Sequence, residues 1–380
     1  MRNNNLLERK YNLTENPFTS TTASNKWLDT WTNRTQELEK WRKFIKASKK
    51  GQGNQIAFLI GEYGRGKTLS LLKIFYEASS EVDLMPIYLN FQGEQKVKKV
   101  GIDFLFRLLR GILEAIKDKH INRTKLAHAL DKISDDLSEP KDVIKAILVD
   151  KEQENRKLAE YFISGQIQPN KKELRQLGII RKIDDVEIAK EYLAALLILL
   201  WNIGYKGTFF AVDEFEYLFS LVPKSQRAIY IALLRGLYDF PVGMKSVDVQ
   251  MAKLNFFIAI SEGGWNSLKE MDTQERGQGG PVQPLMRRIT LKSTLLPFSK
   301  LETRELIKNR LSYDRVRGTR SAKPLIPFSD DFVSFVFEKA NGELWRTIFI
   351  CSHVLDAGLE KGVSILNKVF AEKVMKERNI

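Results

Sequence analysis

The stretch QIAFLIGEYGRGKTLSLLKIFYEAS, residues 55–79, constrains the fold more than any other part of the chain. The apolar run Ile56 to Ile60 reads as a buried strand, and the residues after Lys67 have helical spacing. The turn between them has the spacing G-x-x-x-x-G-K-T, set by Gly61, Gly66, Lys67 and Thr68. Each residue type has a chemical reason. The glycines let backbone N–H groups converge on phosphate oxygens, and the helix that follows offers its positive N-terminal end. Lys67 would reach the β- and γ-phosphates, and the Thr68 hydroxyl would ligate Mg²⁺. The expected nucleotide contacts are Gly61, Glu62, Tyr63, Gly64, Arg65, Gly66, Lys67, Thr68 and Leu69. A glycine turn ending in Lys-Thr by chance would have no reason to lie between a strand and a helix, so phosphate binding is the expected reading.

Phosphate chemistry of this kind needs an acidic partner on a neighbouring strand. The stretch FFAVDEFE supplies one, with Asp213 and Glu214 following four apolar residues. Asp213 would hold Mg²⁺ through its water shell, and Glu214 would orient and deprotonate the attacking water. Asp/Glu pairs also cap helices after strands, and the upstream loop is what tips this pair towards catalysis. Glu216 reads equally as a further functional acid or a surface helix residue. Ser261 ends the strand FFIAI, where it would contact the γ-phosphate or simply cap the next element. Arg287 and Arg288 stand just before a strand, placed to reach a neighbouring subunit's nucleotide, to face phosphate or DNA, or to remain solvated. In NGELWR, Arg346 lies near a helix start and would close onto ATP, whereas Trp345 is expected in the core.

The order of elements supports a parallel α/β sheet followed by a helical domain. After a turn-rich lead-in at 15–25, RTQELEKWRKFIKASKKG is helical, with Leu38, Trp41 and Ile45 on one face. Strands are expected at 85–91, 207–215 and 254–261. Residues 100–204 read as almost entirely helical, and after a loop at 277–284 the remainder is read as helical to the end. The expected domains are a lead-in and helix at 1–50, a P-loop ATPase domain at 51–299 with a helical insertion at about 100–204, and a helical lid at 300–380. The longest apolar run, LAALLILLW, is far short of a bilayer span. No signal peptide or membrane segment is expected, and the expected location is cytoplasmic. One cysteine, Cys351, excludes an internal disulfide framework and sits in apolar context.

The net charge of +14 is unevenly spread. Residues 1–50 carry 11 Lys/Arg against 5 Asp/Glu, and residues 287–380 carry 18 against 11, which leaves the middle near neutral. Basic ends suit a partner with condensed counterions, such as nucleic acid, although solvated lysine-rich helix faces have the same composition. KASKKG (46–51) and RVRGTR (315–320) are the clearest basic runs, and a charged loop is the plain alternative for the second.

The sequence order NPF, R…EL, P-loop, DE strand, Ser-ended strand, RR…PFS and GELWR resembles the AAA+ ATPases of the initiator (ORC-like) branch. The 145 positions between Thr68 and Asp213 imply a helical insertion in such a core. EYFISGQIQPNKKELRQLGI, followed by EYLAALLILLWNIGYKGTFFAVDEFEYL, is similar to the ATP-binding proteins encoded with BREX-type phage-defence loci, in which GEYGxGKT and GYxG…DExE recur. The resemblance implies ATP at Gly61 to Thr68, Mg²⁺ and hydrolysis at Asp213 and Glu214, and an initiator-like lid near 300–378. Arg65 stands where that loop commonly has a small residue, and GELWR has one residue more than the usual G-x-x-R. The winged helix of initiators is not expected, because the sequence ends with the lid.

Two classes of function fit. The first is an ATP-hydrolysing, homo-oligomeric protein that assembles on DNA through phosphate contacts, without sequence reading, and loads or activates a helicase or nuclease in phage defence. The second is a nucleotide-dependent regulatory switch acting through protein contacts, with the insertion as docking platform. A transposition-type ATPase that selects targets is a variant of the first. A kinase or small-molecule transferase fits less well.

Overall fold

The computed structural model describes residues 2–19, 25–28, 30–31, 34–92, 100–166, 170–220, 222–241, 250–273, 282–316 and 324–380. Five strands, β1 (Gln55–Ile60), β2 (Leu84–Asn90), β3 (Gly207–Asp213), β4 (Asn255–Ile260) and β5 (Ile289–Thr294), form one sheet in the order β2-β3-β4-β1-β5. The β1–β4, β2–β3 and β3–β4 pairs are parallel. β1, β3 and β4 are buried along almost their whole length, as strands covered on both faces must be. Pro86 lacks an N–H for the ladder and lies on the edge strand β2, where the loss is tolerated.

The helices in chain order are α1 (Arg2–Tyr11), α2 (Thr35–Lys49), α3 (Lys67–Ser79), α4 (Ile102–Asp118), α5 (Arg123–Leu130), α6 (Ser138–Leu148), α7 (Gln153–Ile163), α8 (Lys171–Gln176) and α9 (Val186–Ile203). They continue with α10 (Tyr217–Ser220), α11 (Lys224–Tyr238), α12 (Glu262–Thr273), α13 (Val282–Met286), α14 (Lys300–Tyr313), α15 (Asp330–Ala340), α16 (Leu344–Glu360) and α17 (Lys368–Arg378).

The chain divides into two compact units. One comprises residues 38–60 and 74–293 and contains most of the sheet and the whole run α4 to α9. Its core is built around α9, whose residues from Tyr192 to Leu200 are all buried. Asp185 caps α9 by accepting from Ile188 N at 2.8 Å, and Gly204 at φ 112 ends it. This apolar helix packs against α4, α5 and α6. Each fully buried Leu or Ile there stabilises by about 1.5–3 kcal/mol. No helix among the described residues is long and apolar enough to cross a membrane.

The other unit comprises residues 1–37, 61–73 and 294–380. Its core joins Leu7, Tyr11 and Phe18 to the inner faces of α14 to α17. Burial pushes the Tyr11 phenol up to about 12 and the Cys351 thiol far above its usual value.

Ahead of the 15–25 stretch, α1 forms because Leu7 and Tyr11 share a face that the α16 region buries. The strand expected after Arg287 and Arg288 forms as β5, which interrupts the stretch otherwise read as helical after the 277–284 loop; its residues alternate between more and less buried, as an edge strand with one covered face requires. Most of the 277–284 loop and all of the RVRGTR run beyond Val316 lie outside the described residues.

Candidate nucleotide site

β1 ends at Ile60, and the chain enters the loop at Gly61. Within the loop, Gly64 and Gly66 have φ of +78° and +84°, values that an L side chain rarely adopts. Residues in such a conformation turn successive N–H groups to one side and form an anion-binding nest. α3 begins at Lys67, so its N-terminal N–H groups and dipole continue the nest. Lys67 is buried, and its ammonium donates to the carbonyls of Gly61 at 3.0 Å and Glu62 at 3.3 Å. Glu62 and Tyr63 project outward, and Thr68 and Leu69 are half-buried on the first turn of α3.

The loop is held in shape by Arg34, which sequence reasoning did not single out. Its Nη2 donates to the carbonyls of Arg65 at 3.0 Å and Leu296 at 3.3 Å, and its guanidinium lies 5.0 Å from the Phe298 ring centre. Burial lowers Arg34 to about 10, against the pull of Glu302 and Glu37, so it remains charged at neutral pH. Arg65 thus acts through its backbone, a role that does not need a small side chain.

The N-terminal end of α16 rests on the loop. Trp345 N donates to Gly64 O at 3.4 Å, and a Cβ on Gly64 would stand 1.8 Å from Trp345 Cδ1. A Cβ on Gly66 would stand 2.8 Å from Leu344 Cδ2. Trp345 is 37% exposed, which corrects the expectation that it belongs to the core; its ring covers the glycine loop instead. Arg346 follows it, exposed, in the same unit as the loop. Beside Gly66 lies a recess of about 20 Å³, walled by Trp31, Leu69, Phe298, Leu306 and Leu344.

The sheet supplies the acidic groups. Register pairs Ile60 with Ile260 and Val212 with Ile258, so Asp213, Glu214 and Ser261 come at the C-terminal ends of β3 and β4, the same end of the sheet at which β1 stops. Asp213 is 1% exposed. Its Oδ2 accepts from the Tyr88 hydroxyl at 2.9 Å, and its Oδ1 accepts from Glu214 N at 3.0 Å. Burial, then the Asp213 charge, pushes the Tyr88 phenol far up, so Tyr88 stays a donor. Glu214 has φ +55°, outside the usual range for a side chain with a Cβ, which turns it off the line of β3.

Glu216 is neither a bare surface residue nor part of this pair. Its Oε1 accepts from Ser261 N at 2.9 Å, which ties the end of β3 to the end of β4. Ser261 Oγ accepts from Gly264 N at 3.0 Å and caps α12, the second of the roles open to it. Arg287 is exposed. Arg288 is engaged: its Nε and Nη2 donate to Asp239 at 2.9 and 2.7 Å, and its Nη1 donates to Pro284 O at 2.7 Å. The fork to Asp239 holds Arg288 above its ordinary value.

The donor set fits a nucleotide with Mg²⁺. The glycine cradle would be filled by any Cβ, and the lysine sits within it. Among the described residues no group of three or more His, Cys, Asp or Glu could hold a metal ion alone. Mg²⁺ commonly takes one or two protein oxygens and completes its shell with phosphates and water.

Residues 113–258, from within α4 to β4, match the family described as BREX system ATP-binding protein BrxC/D. The ORC2 protein of Aeropyrum pernix, in ADPNP–ADP complexes, is similar in structure with a TM-score of 0.52 at 14% identity, covering 96% of this chain and 71% of that one. Its ADP form gives 0.51 at 13% identity, covering 95% and 72%. No curated protein matches the chain. The chain therefore shares the fold of the ORC2 protein and is similar, over residues 113–258, to the family described as BREX system ATP-binding protein BrxC/D.

Proposed function

We propose that this protein binds and hydrolyses ATP with Mg²⁺, and that it assembles on DNA to load or activate a partner helicase or nuclease in phage defence. Two observations support the ATPase part: β1 continues into a glycine loop with a buried lysine, and Asp213–Glu214 follows the C-terminal end of β3, at the end of the sheet where β1 also stops. Bound Mg²⁺ supplies charge neutralisation at the β- and γ-phosphates. Lys67 exchanges the carbonyls of Gly61 and Glu62 for phosphate oxygens. Thr68 offers its hydroxyl and Asp213 its carboxylate to the metal shell. Glu214 orients a water and takes its proton. Ser261, Arg287 and Arg346 are the remaining candidates for contact with the γ-phosphate. Arg288 takes part only by leaving Asp239, which makes Arg287 the better candidate to act on a neighbouring subunit.

The recess beside Gly66 holds about one water molecule. A base would fit there only if Leu344 and its neighbours moved. DNA association is supported by the basic ends of the chain, whose lysines and arginines would release counterions from phosphates. The second reading is a nucleotide switch that signals through protein contacts. It is favoured by the seating of Leu344 and Trp345 on the loop, which couples nucleotide to α16. Phosphate release measured with and without duplex DNA separates the two, with Lys67→Ala as the blank. DNA-stimulated turnover that falls as salt rises supports the first reading. Turnover indifferent to DNA rejects it in favour of the switch.

A further inference from the structure

Away from the nucleotide loop, the α4–α9 region contains an open groove of about 390 Å³, bordered by the end of α4, the start of α5, the end of α6 and the first turns of α7. This falls within the roughly 300–1,000 Å³ range of small-ligand sites. Its floor is apolar, made by Ile121, Ile147 and Leu148 among others, and its rim is basic. Lys117, Arg123 and Arg156 face a single carboxylate, Glu160, with His120 beside them. Glu160 is already engaged by Lys117 Nζ at 2.6 Å, which leaves the charge of Arg123 and Arg156 uncompensated within the groove.

Arg156 is the sharpest feature. Its Nη2 is pinned by the carbonyl of Asp150 at 2.7 Å, which fixes the plane of the guanidinium. Its side chain is half-buried and lines the groove, so its charge is held in place beside an open cavity. His120, at φ +49°, turns the chain between α4 and α5 and places its ring on the rim. The first residue of α5 is Arg123, so the positive end of that helix adds to the same field. The groove is too large for an inorganic anion alone, and its floor suits a flat apolar body.

We propose that this groove binds a phosphorylated small molecule of mononucleotide size, with the phosphate on Arg156, Arg123 and His120 and the flat body on Ile121, Ile147 and Leu148. The site is separate from the glycine loop and does not depend on it. Titration calorimetry on the full chain carrying Lys67→Ala, with AMP, UMP, adenosine and inorganic phosphate as probes, tests it. The expected result is one saturable site for AMP or UMP, with adenosine and inorganic phosphate each at least tenfold weaker. Arg156→Gln and, independently, the exposed-site variant Arg123→Ala are each expected to weaken nucleotide binding at least tenfold. The second variant keeps the test valid if the first disturbs folding. Absence of binding by AMP and UMP at millimolar concentration overturns the proposal. Binding unchanged in both variants overturns it too, and binding of inorganic phosphate as tight as AMP rejects the apolar floor.

Discussion

Gly64→Ala is expected to damage the chain by two separable routes. The first is local: φ +78° costs a residue with a Cβ about 1–2 kcal/mol. The second is steric. The new Cβ would lie 1.8 Å from Trp345 Cδ1 and 2.8 Å from Cγ. Carbon atoms in contact sit about 3.5–4.0 Å apart, so the ring must retreat by about 2 Å. Overpacking of this kind costs about 1–3 kcal/mol. The two terms together predict a loss of about 2–5 kcal/mol for Gly64→Ala in the native background. In the Trp345→Ala background the steric term vanishes, and the loss should shrink to the backbone term of about 1–2 kcal/mol. Urea denaturation of the four proteins in the cycle, followed by circular dichroism, measures the difference. A coupling of about 1–3 kcal/mol is expected. Equal losses in both backgrounds, within about 0.5 kcal/mol, would refute the seating of Trp345 on the loop.

Arg34→Ala removes the donor to Arg65 O and Leu296 O. Bonds from a charged donor are worth about 1.5–3 kcal/mol, so a clear drop in melting temperature is expected, with ATP affinity at least tenfold weaker; a variant that binds ATP like the native protein contradicts this. Tyr88→Phe takes one donor from Asp213. About 1 kcal/mol of lost positioning corresponds to roughly a fivefold rise in the Mg²⁺ needed for half-maximal ATP turnover, and an unchanged Mg²⁺ titration counts against it. For pH, Tyr11 is raised to about 12 and Cys351 is also raised, so the folded state keeps protons that the unfolded state releases. Their stabilisation is therefore present below the unfolded values and is lost as pH climbs from about 9 through 12. Tyr11→Phe should flatten the upper part of that decline, and native Cys351 should resist alkylation at pH 8.

The parts of this protein legible in its sequence are those whose signal is local. The glycine loop, the apolar strands and the helical run at 100–204 each announce themselves within a dozen residues or so, because strand, turn and helix periodicities are short. Asp213 and Glu214 were legible for the same reason, as acids closing an apolar run. What supports these groups was not legible. Tyr88 meets Asp213 across 125 positions, Arg34 meets Leu296 across 262, and Glu216 meets Ser261 across 45. Nothing in the spacing of those residues encodes the meeting; the sheet order brings the strand ends together. Trp345 misled for a related reason. An aromatic residue on an apolar helix reads as core, and only the position of Gly64 shows that this one covers the loop. The strand after Arg288 was legible from the alternation of ITLKST, although its neighbours read as helical.

The most direct test is phosphate release from Mg²⁺-ATP by the native protein and by Glu214→Gln, with ATP binding measured in parallel. A positioned general base contributes on the order of 10²–10⁴ in rate. The account predicts turnover by the native protein and at least a hundredfold less by Glu214→Gln, with ATP bound equally well by both. Undiminished turnover in Glu214→Gln, or a native protein that does not bind ATP at all, would contradict it.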